Sequence, residues 1–213
     1  MGQSNKLWQT RFKRAVTISH WLKFTPFIRM VGLNGSMMTN RMNKNSDIDF
    51  YIVTDANRLY ITRTIATIIV HLSGWRRYGQ KIRGRVCLNR FATVDALQIT
   101  PNNNYHARVF SCLLPLVSIN NTYEKYLQQN RWMNKTKYKL KHFQNKRTTK
   151  GLTTILRGFG ELMMAGFLGD KLESILKNWQ TKKIMSDSNA FIPGSRVKIK
   201  SNELCFHNKK NHV

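Results

Sequence analysis

The chain has 213 residues, 41% of them hydrophobic and 11% aromatic, which is enough apolar mass for a buried core and excludes a wholly disordered chain. Lys and Arg number 36 against 10 Asp and Glu, a net charge of +26. Residues 1–100 carry 16 basic and 4 acidic side chains and residues 101–213 carry 20 and 6, so the excess is not a basic tail, and RNA or another polyanion is the expected partner.

Cys87, Cys112 and Cys205 are too few and too scattered for a disulfide framework. The longest apolar run, 65–72, contains Thr67 and His71, so no membrane-spanning helix is expected and no membrane partner. The beginning has no apolar leader, which points to the cytoplasm. It also has no acid before Asp47, and Arg11, Lys13 and Arg14 lie among Trp8, Phe12 and Val16. That is the pattern of an organellar transit segment, so the mitochondrial matrix is the alternative compartment.

In chain order, Trp8, Phe12, Val16 and Trp21 give residues 6–23 helical spacing. Residues 27–33 read as a strand between Pro26 and the turn Asn34-Gly35. Residues 36–42 read as a short helix and 43–46 as a polar loop. In 47–54, Ile48, Phe50 and Ile52 alternate with Asp47, Asp49 and Tyr51, the pattern of a strand. Residues 58–72 are apolar at helical spacing and stop at Ser73-Gly74. Residues 79–85 form a basic, glycine-bearing turn, 86–91 a third strand and 94–99 a fourth. Helices are expected over 105–118 and 123–130. Residues 131–150 hold eight Lys and Arg and no acid, which reads as a solvated linker. Their interleaved Tyr138 and Phe143 also suit a track for single-stranded RNA. Residues 151–181 read as an amphipathic helix or helix pair, and 197–206 as a short strand.

The chemistry concentrates in Gly35-Ser36, ten intervening residues, then Asp47-Ile48-Asp49. Residues two apart in a strand share a face, so Asp47 and Asp49 point together while Ile48 and Phe50 enter the core. Two adjacent carboxylates repel unless a cation lies between them, and Mg²⁺ takes oxygen ligands at about 2.0–2.1 Å from one or two carboxylates plus substrate phosphates. Gly35 lets the backbone approach closely, and the N–H groups of the turn with the Ser36 hydroxyl suit phosphate oxygens. Together these parts suit nucleotidyl transfer. Lys81, Arg83 and Arg85 precede the third strand, within reach of a triphosphate or a nucleic-acid backbone. Arg63, on the helix after the aspartates, is a further candidate for the phosphates. Cys205 and His207 lack the second pair that a zinc site needs.

Residues 30–53, Met-Val-Gly-Leu-Asn-Gly-Ser through Ser-Asp-Ile-Asp-Phe-Tyr-Ile-Val, resemble the signature of the polymerase-beta-type nucleotidyltransferase superfamily. The likeness extends to bacterial nucleotidyltransferase-domain proteins through Arg58-Leu59-Tyr60-Ile61-Thr62-Arg63, Cys87-Leu88-Asn89-Arg90-Phe91, Asn121-Thr122-Tyr123-Glu124-Lys125, Asn130-Arg131-Trp132, Leu172-Glu173, Trp179-Gln180 and Phe206-His207. The resemblance implies an α/β fold: a mixed-sheet core with an N-terminal helix over 1–100, then a helical region over 101–213. It implies a transferase that uses Mg²⁺ or Mn²⁺ and an NTP, with Asp47 and Asp49 on the metal and Gly35 and Ser36 on the phosphates. It also implies a third metal-binding carboxylate on a later strand. Asn89 is the residue nearest that role, and Asp95 is the nearest acid. The second reading is a catalytically degenerate fold of this type that binds RNA or ribonucleoprotein.

Overall fold

The computed structural model describes residues 2–143, 151–187, 191 and 196–207. Its centre is a six-stranded mixed sheet in the order β4-β1-β2-β3-β6-β5. β1 (Ile28–Asn34) pairs antiparallel with β2 (Ile48–Thr54), and β3 (Val86–Thr93) runs parallel to β2. A parallel partner needs a crossover, which α2 (Leu59–Leu72) supplies. β4 (Leu114–Ser118) closes one edge against β1, and the hairpin of β5 (Arg196–Ile199) and β6 (Glu203–His207) extends the other.

The strand alternation divides the core in two. Ile48, Phe50 and Ile52 face a cluster with Ala15, Ile18 and Leu22 of α1 (Gly2–Leu22), Leu59, Ala66 and Val70 of α2, and Ile184 of α6 (Gly166–Met185). Tyr51 and Val53 face the other way, toward Phe110 of α3 (Asn104–Phe110) and Tyr123 and Tyr126 of α4 (Thr122–Gln129). The helix expected at the beginning of the chain is therefore an integral layer of the fold. No helix among the described residues is long and apolar enough to cross a membrane.

Four expectations change. Residues 94–99 form no strand; Leu97 and Ile99 are instead buried side chains of the second cluster. The helix expected over 105–118 ends at Phe110, and Leu114–Ser118 is strand β4. Pro115 explains this: it breaks a helix interior but is tolerated on an edge strand. Residues 131–143 are not a solvated linker. Met133 and Leu140 are buried, and Trp132, Tyr138 and Phe143 pack against the second cluster, so those aromatics serve the core rather than an RNA track; residues 144–150 lie outside the described residues. Finally, the region beyond residue 100, expected to be helical with one short C-terminal strand, supplies three strands of the sheet as well as helices.

The helix pair expected near the C-terminus is α5 (Leu152–Met163) and α6. α6 docks on α2 through polar contacts. The Glu173 carboxylate accepts the Tyr60 and Ile61 backbone N–H groups, both at 2.8 Å, and so satisfies first-turn donors of a helix whose own N-cap residue, Arg58, gives no side-chain cap. Arg58 pairs with Asp170 at 2.6 Å. Gln180 accepts from Arg63 and donates to the Tyr60 carbonyl and Thr64 Oγ1. Much of the opposite side of the pair faces solvent, including Phe159, Leu162, Phe167 and Leu168. Glu173→Ala leaves buried N–H groups of α2 without an acceptor, and we expect it to cost roughly 1.5–3 kcal/mol of stability, measured by denaturant unfolding. Glu173→Gln, which keeps an acceptor oxygen, should lose less.

Candidate active site

The site forms where β1 ends and where β2 and β3 begin. Asn34, the last residue of β1, pairs with Asp49, and the chain then reverses through a 3₁₀ turn at Gly35–Met37. Gly35 has φ +73°, and a Cβ on it would lie 2.0 Å from Asp49 Oδ2. Both facts require glycine: the left-handed backbone and the absence of space. The Met38 and Thr39 N–H groups donate to the Gly35 carbonyl, which holds the turn closed. Ser36 Oγ is buried with no hydrogen-bond partner among the described residues.

Asp47 and Asp49 point together, as the alternation requires. Across the parallel pairing, Cys87 stands opposite Asp49. One ligand atom from each of Asp47, Asp49 and Cys87 falls in a group whose members all lie within 4.8 Å of one another. A register shift in the β2–β3 pairing passes from Phe50–Leu88 to Tyr51–Arg90 and leaves Asn89 as the extra residue. Asn89 Nδ2 donates to Asp49 Oδ1 at 2.8 Å. The Arg77 guanidinium pairs with Asp47 Oδ2 and lies 3.9 Å from Cys87 Sγ.

These neighbours set the charge state of Asp49. Burial first, and then the Asp47 charge, push its carboxyl from the ordinary 3.8 to about 8; the Asn89 hydrogen bond and the Arg77 charge oppose the rise. Burial also raises the Cys87 thiol, and the two carboxylates add to it. Burial and the Asp47 charge therefore oppose a second negative charge at this point, and the protein's own Asn89 and Arg77 offset that opposition incompletely. The donor set suits a divalent cation, and the buried, unpartnered Ser36 hydroxyl belongs to a residue that lines the same cleft.

The cleft has a volume of about 820 Å³, within the range of small-molecule sites. Gly35, Ser36, Asp47, Asp49 and Asn89 line its floor. Six cations, Arg41, Arg77, Lys81, Arg83, Arg85 and Arg108, are also in its lining, against those two carboxylates. Two arginines of α1 brace its loops. Arg11 donates to the Asn43 and Lys44 carbonyls, both at 2.7 Å, and Arg14 donates to the Gly84 carbonyl while its guanidinium stacks 3.5 Å from the Trp75 ring centre. Neither stood out in the sequence as a site residue, because their role depends on where α1 packs. Their one local signal was two arginines three apart among the apolar positions of a helix.

The structure brings together Gly35, Ser36, Asp47, Asp49, Asn89 and Lys81. It does not bring Arg63 to them. Arg63 is held between Gln180 and the Phe206 ring, 5.0 Å from its centre, and its burial lowers its pKa to about 10; it is a packing residue of the α2–α6 contact. Asp95 sits exposed in the turn after β3, beyond the Thr54–Thr93 end of the β2–β3 pairing and away from Cys87, so it supplies no third carboxylate. Asn89 presents its amide donor to Asp49, so it positions that carboxylate and offers no negative charge of its own. Cys205 is buried on β6 beside Arg90 and Lys198, outside the cleft.

The raised Asp49 value fixes the sign of a pH dependence. The folded state holds this proton more tightly than the unfolded chain, so without divalent cations stability falls as pH rises from about 4 toward 8. Asp49→Asn removes the charge and keeps the shape. We expect it to raise the melting temperature in EDTA at pH 8, by roughly 2–4 °C for each kcal/mol recovered, and to have little effect at pH 4. Melting curves of both proteins across that range check it. Comparison with known proteins finds no matching family model, no matching curated protein and no matching solved structure, so any functional reading rests on the chain's own residues.

Proposed function

We propose that the protein is a metal-dependent nucleotidyltransferase that moves a nucleotidyl group from an NTP to an acceptor hydroxyl. The observation that carries this reading is the contact of the Gly35–Ser36 turn with Asp49, which sets the turn and its buried, unpartnered Ser36 hydroxyl directly against a carboxylate pair inside a cationic cleft. The resemblance of residues 30–53 to polymerase-beta-type nucleotidyltransferases supports the same reading. Asp47 and Asp49 would hold Mg²⁺ or Mn²⁺, which when bound neutralises phosphate charge and polarises the reacting phosphoryl group. The Gly35–Ser36 turn holds phosphate oxygens through its N–H groups and the Ser36 hydroxyl. Lys81 and Arg83 bring positive charge to the phosphates at the cleft wall. Arg77, which pairs with Asp47 and lines the cleft, would face the same phosphates if a cation took its place at that carboxylate. The acceptor oxygen bonds to the α-phosphorus, the bond from that phosphorus to the bridging oxygen breaks, and pyrophosphate leaves; the hydroxyl proton passes to solvent.

A second reading is a degenerate nucleotidyltransferase fold that binds RNA or ribonucleoprotein. One observation favours it: the residue beside Asp49 on β3 is Asn89, hydrogen-bonded to that carboxylate, and not an acid. The two readings part in one assay. Labelled NTPs with Mg²⁺ or Mn²⁺ are incubated with the protein and with RNA, small-molecule and protein acceptors. The enzyme reading expects label on one acceptor, lost in the Asp47→Ala, Asp49→Ala double variant. Salt-sensitive RNA retention with no label transferred to any acceptor supports the binding reading and contradicts the first.

A further inference from the structure

We propose that Cys87 is the third protein donor of the metal position, so that this position takes first-row transition ions and Cd²⁺ ahead of Mg²⁺. The inference rests on the reading above that Asp47 and Asp49 hold a divalent cation, and it adds which residue completes the set and which ions that residue selects.

Four features of the site lead to Cys87. The parallel register of β2 and β3 places it directly opposite Asp49. Its sulfur lies with the two carboxylates in a group of ligand atoms all within 4.8 Å of one another, and among the described residues this is the one group of three or more His, Cys, Asp or Glu side chains so arranged. The two other candidates for the third position do not compete. Asn89 turns its amide donor to Asp49, and Asp95 lies in an exposed turn beyond the far end of the pairing. A cation is already drawn to the same place: the Arg77 guanidinium pairs with Asp47 and lies 3.9 Å from Cys87 Sγ.

Sulfur changes the selectivity. Mg²⁺ is a hard ion that favours oxygen ligands and keeps much of its water, whereas thiolate favours softer ions. Two carboxylates and one thiolate form a mixed donor set, for which affinity should rise from Mg²⁺ through Mn²⁺ to Co²⁺. Binding replaces the thiol proton with the metal, and the proton leaves to solvent. Cys112 and Cys205 do not belong to that group of ligand atoms and serve as internal controls.

The test is a Co²⁺ titration of the full chain, read by the near-ultraviolet thiolate-to-cobalt charge-transfer band and by calorimetry. The proposal expects the band in the wild type and its loss in Cys87→Ser, with Cys112 and Cys205 untouched. Co²⁺ affinity should fall by tenfold or more, since loss of even an outer-sphere partner costs roughly 10–100-fold. Cys87→Asp should keep Co²⁺ binding, lose the band and gain affinity for Mg²⁺, which separates a ligand role from a folding defect. Co²⁺ binding without the band, or a band that survives Cys87→Ser, overturns the assignment. No Co²⁺ binding also overturns it. In those cases, NTP binding by the wild type that depends on Mg²⁺ shows that the metal reading of Asp47 and Asp49 stands without Cys87, and its absence shows that both fall.

Discussion

The constraint on which the site depends is the contact between the Gly35 turn and the Asp49 carboxylate, which leaves no volume for a side chain. Much of the surrounding architecture keeps that contact in place. The antiparallel register of β1 and β2 brings Asn34 opposite Asp49, and the parallel register of β2 and β3 brings Cys87 to the same point. α1 then ties down two loops of the cleft, one through Arg11 at Asn43 and Lys44, the other through Arg14 at Gly84. A basic helix at the beginning of the chain thus acts on the site through backbone carbonyls, without lining the cleft itself.

The electrostatics of the cleft follow from the same crowding. Burial and Asp47 both act against ionised Asp49, and the structure answers with one amide from Asn89 and one guanidinium from Arg77. A protein selected only for stability would replace such a pair with neutral side chains. Around this acidic point, six cationic side chains line the cleft, a distribution that favours a ligand with its own negative charge and a cation of its own. The net charge of +26 extends the same preference over the rest of the surface. In the proposed account, an NTP with its metal satisfies both parts at once.

The α/β fold and the floor of the site were legible in the sequence because they are local. Strand alternation is enough to set Asp47 with Asp49 and to send Ile48 to the core, and the turn residues Asn34-Gly35 mark where β1 stops. What the sequence concealed depends on contacts between distant segments. β4 was read as helix because its apolar residues suit either state, and Pro115 alone among them argues for an edge strand. The lysines of 135–141 suggested solvent, but Tyr138 and Leu140 between them pack into the second core. Glu173, Gln180 and Arg63 form one polar contact between α2 and α6, more than 100 residues apart in the chain; no spacing rule reveals it, and Arg63 was therefore assigned to phosphate. Asn89 was named as the residue nearest the third position, but the register shift at Asn89 and its hydrogen bond to Asp49 exist only in the paired sheet.

The central claim is that one cleft binds a cation and an anion that depend on each other through the Gly35–Asp49 contact. The most direct measurement is the melting temperature of the wild type and of Gly35→Ala with Mg²⁺ or Mn²⁺ alone, an NTP alone, and both together. The account predicts that the two ligands together stabilise the wild type by more than their separate effects combined, as linked binding requires, and that Gly35→Ala loses this excess. Equal stabilisation of both proteins, or effects of metal and NTP that simply add, would contradict it.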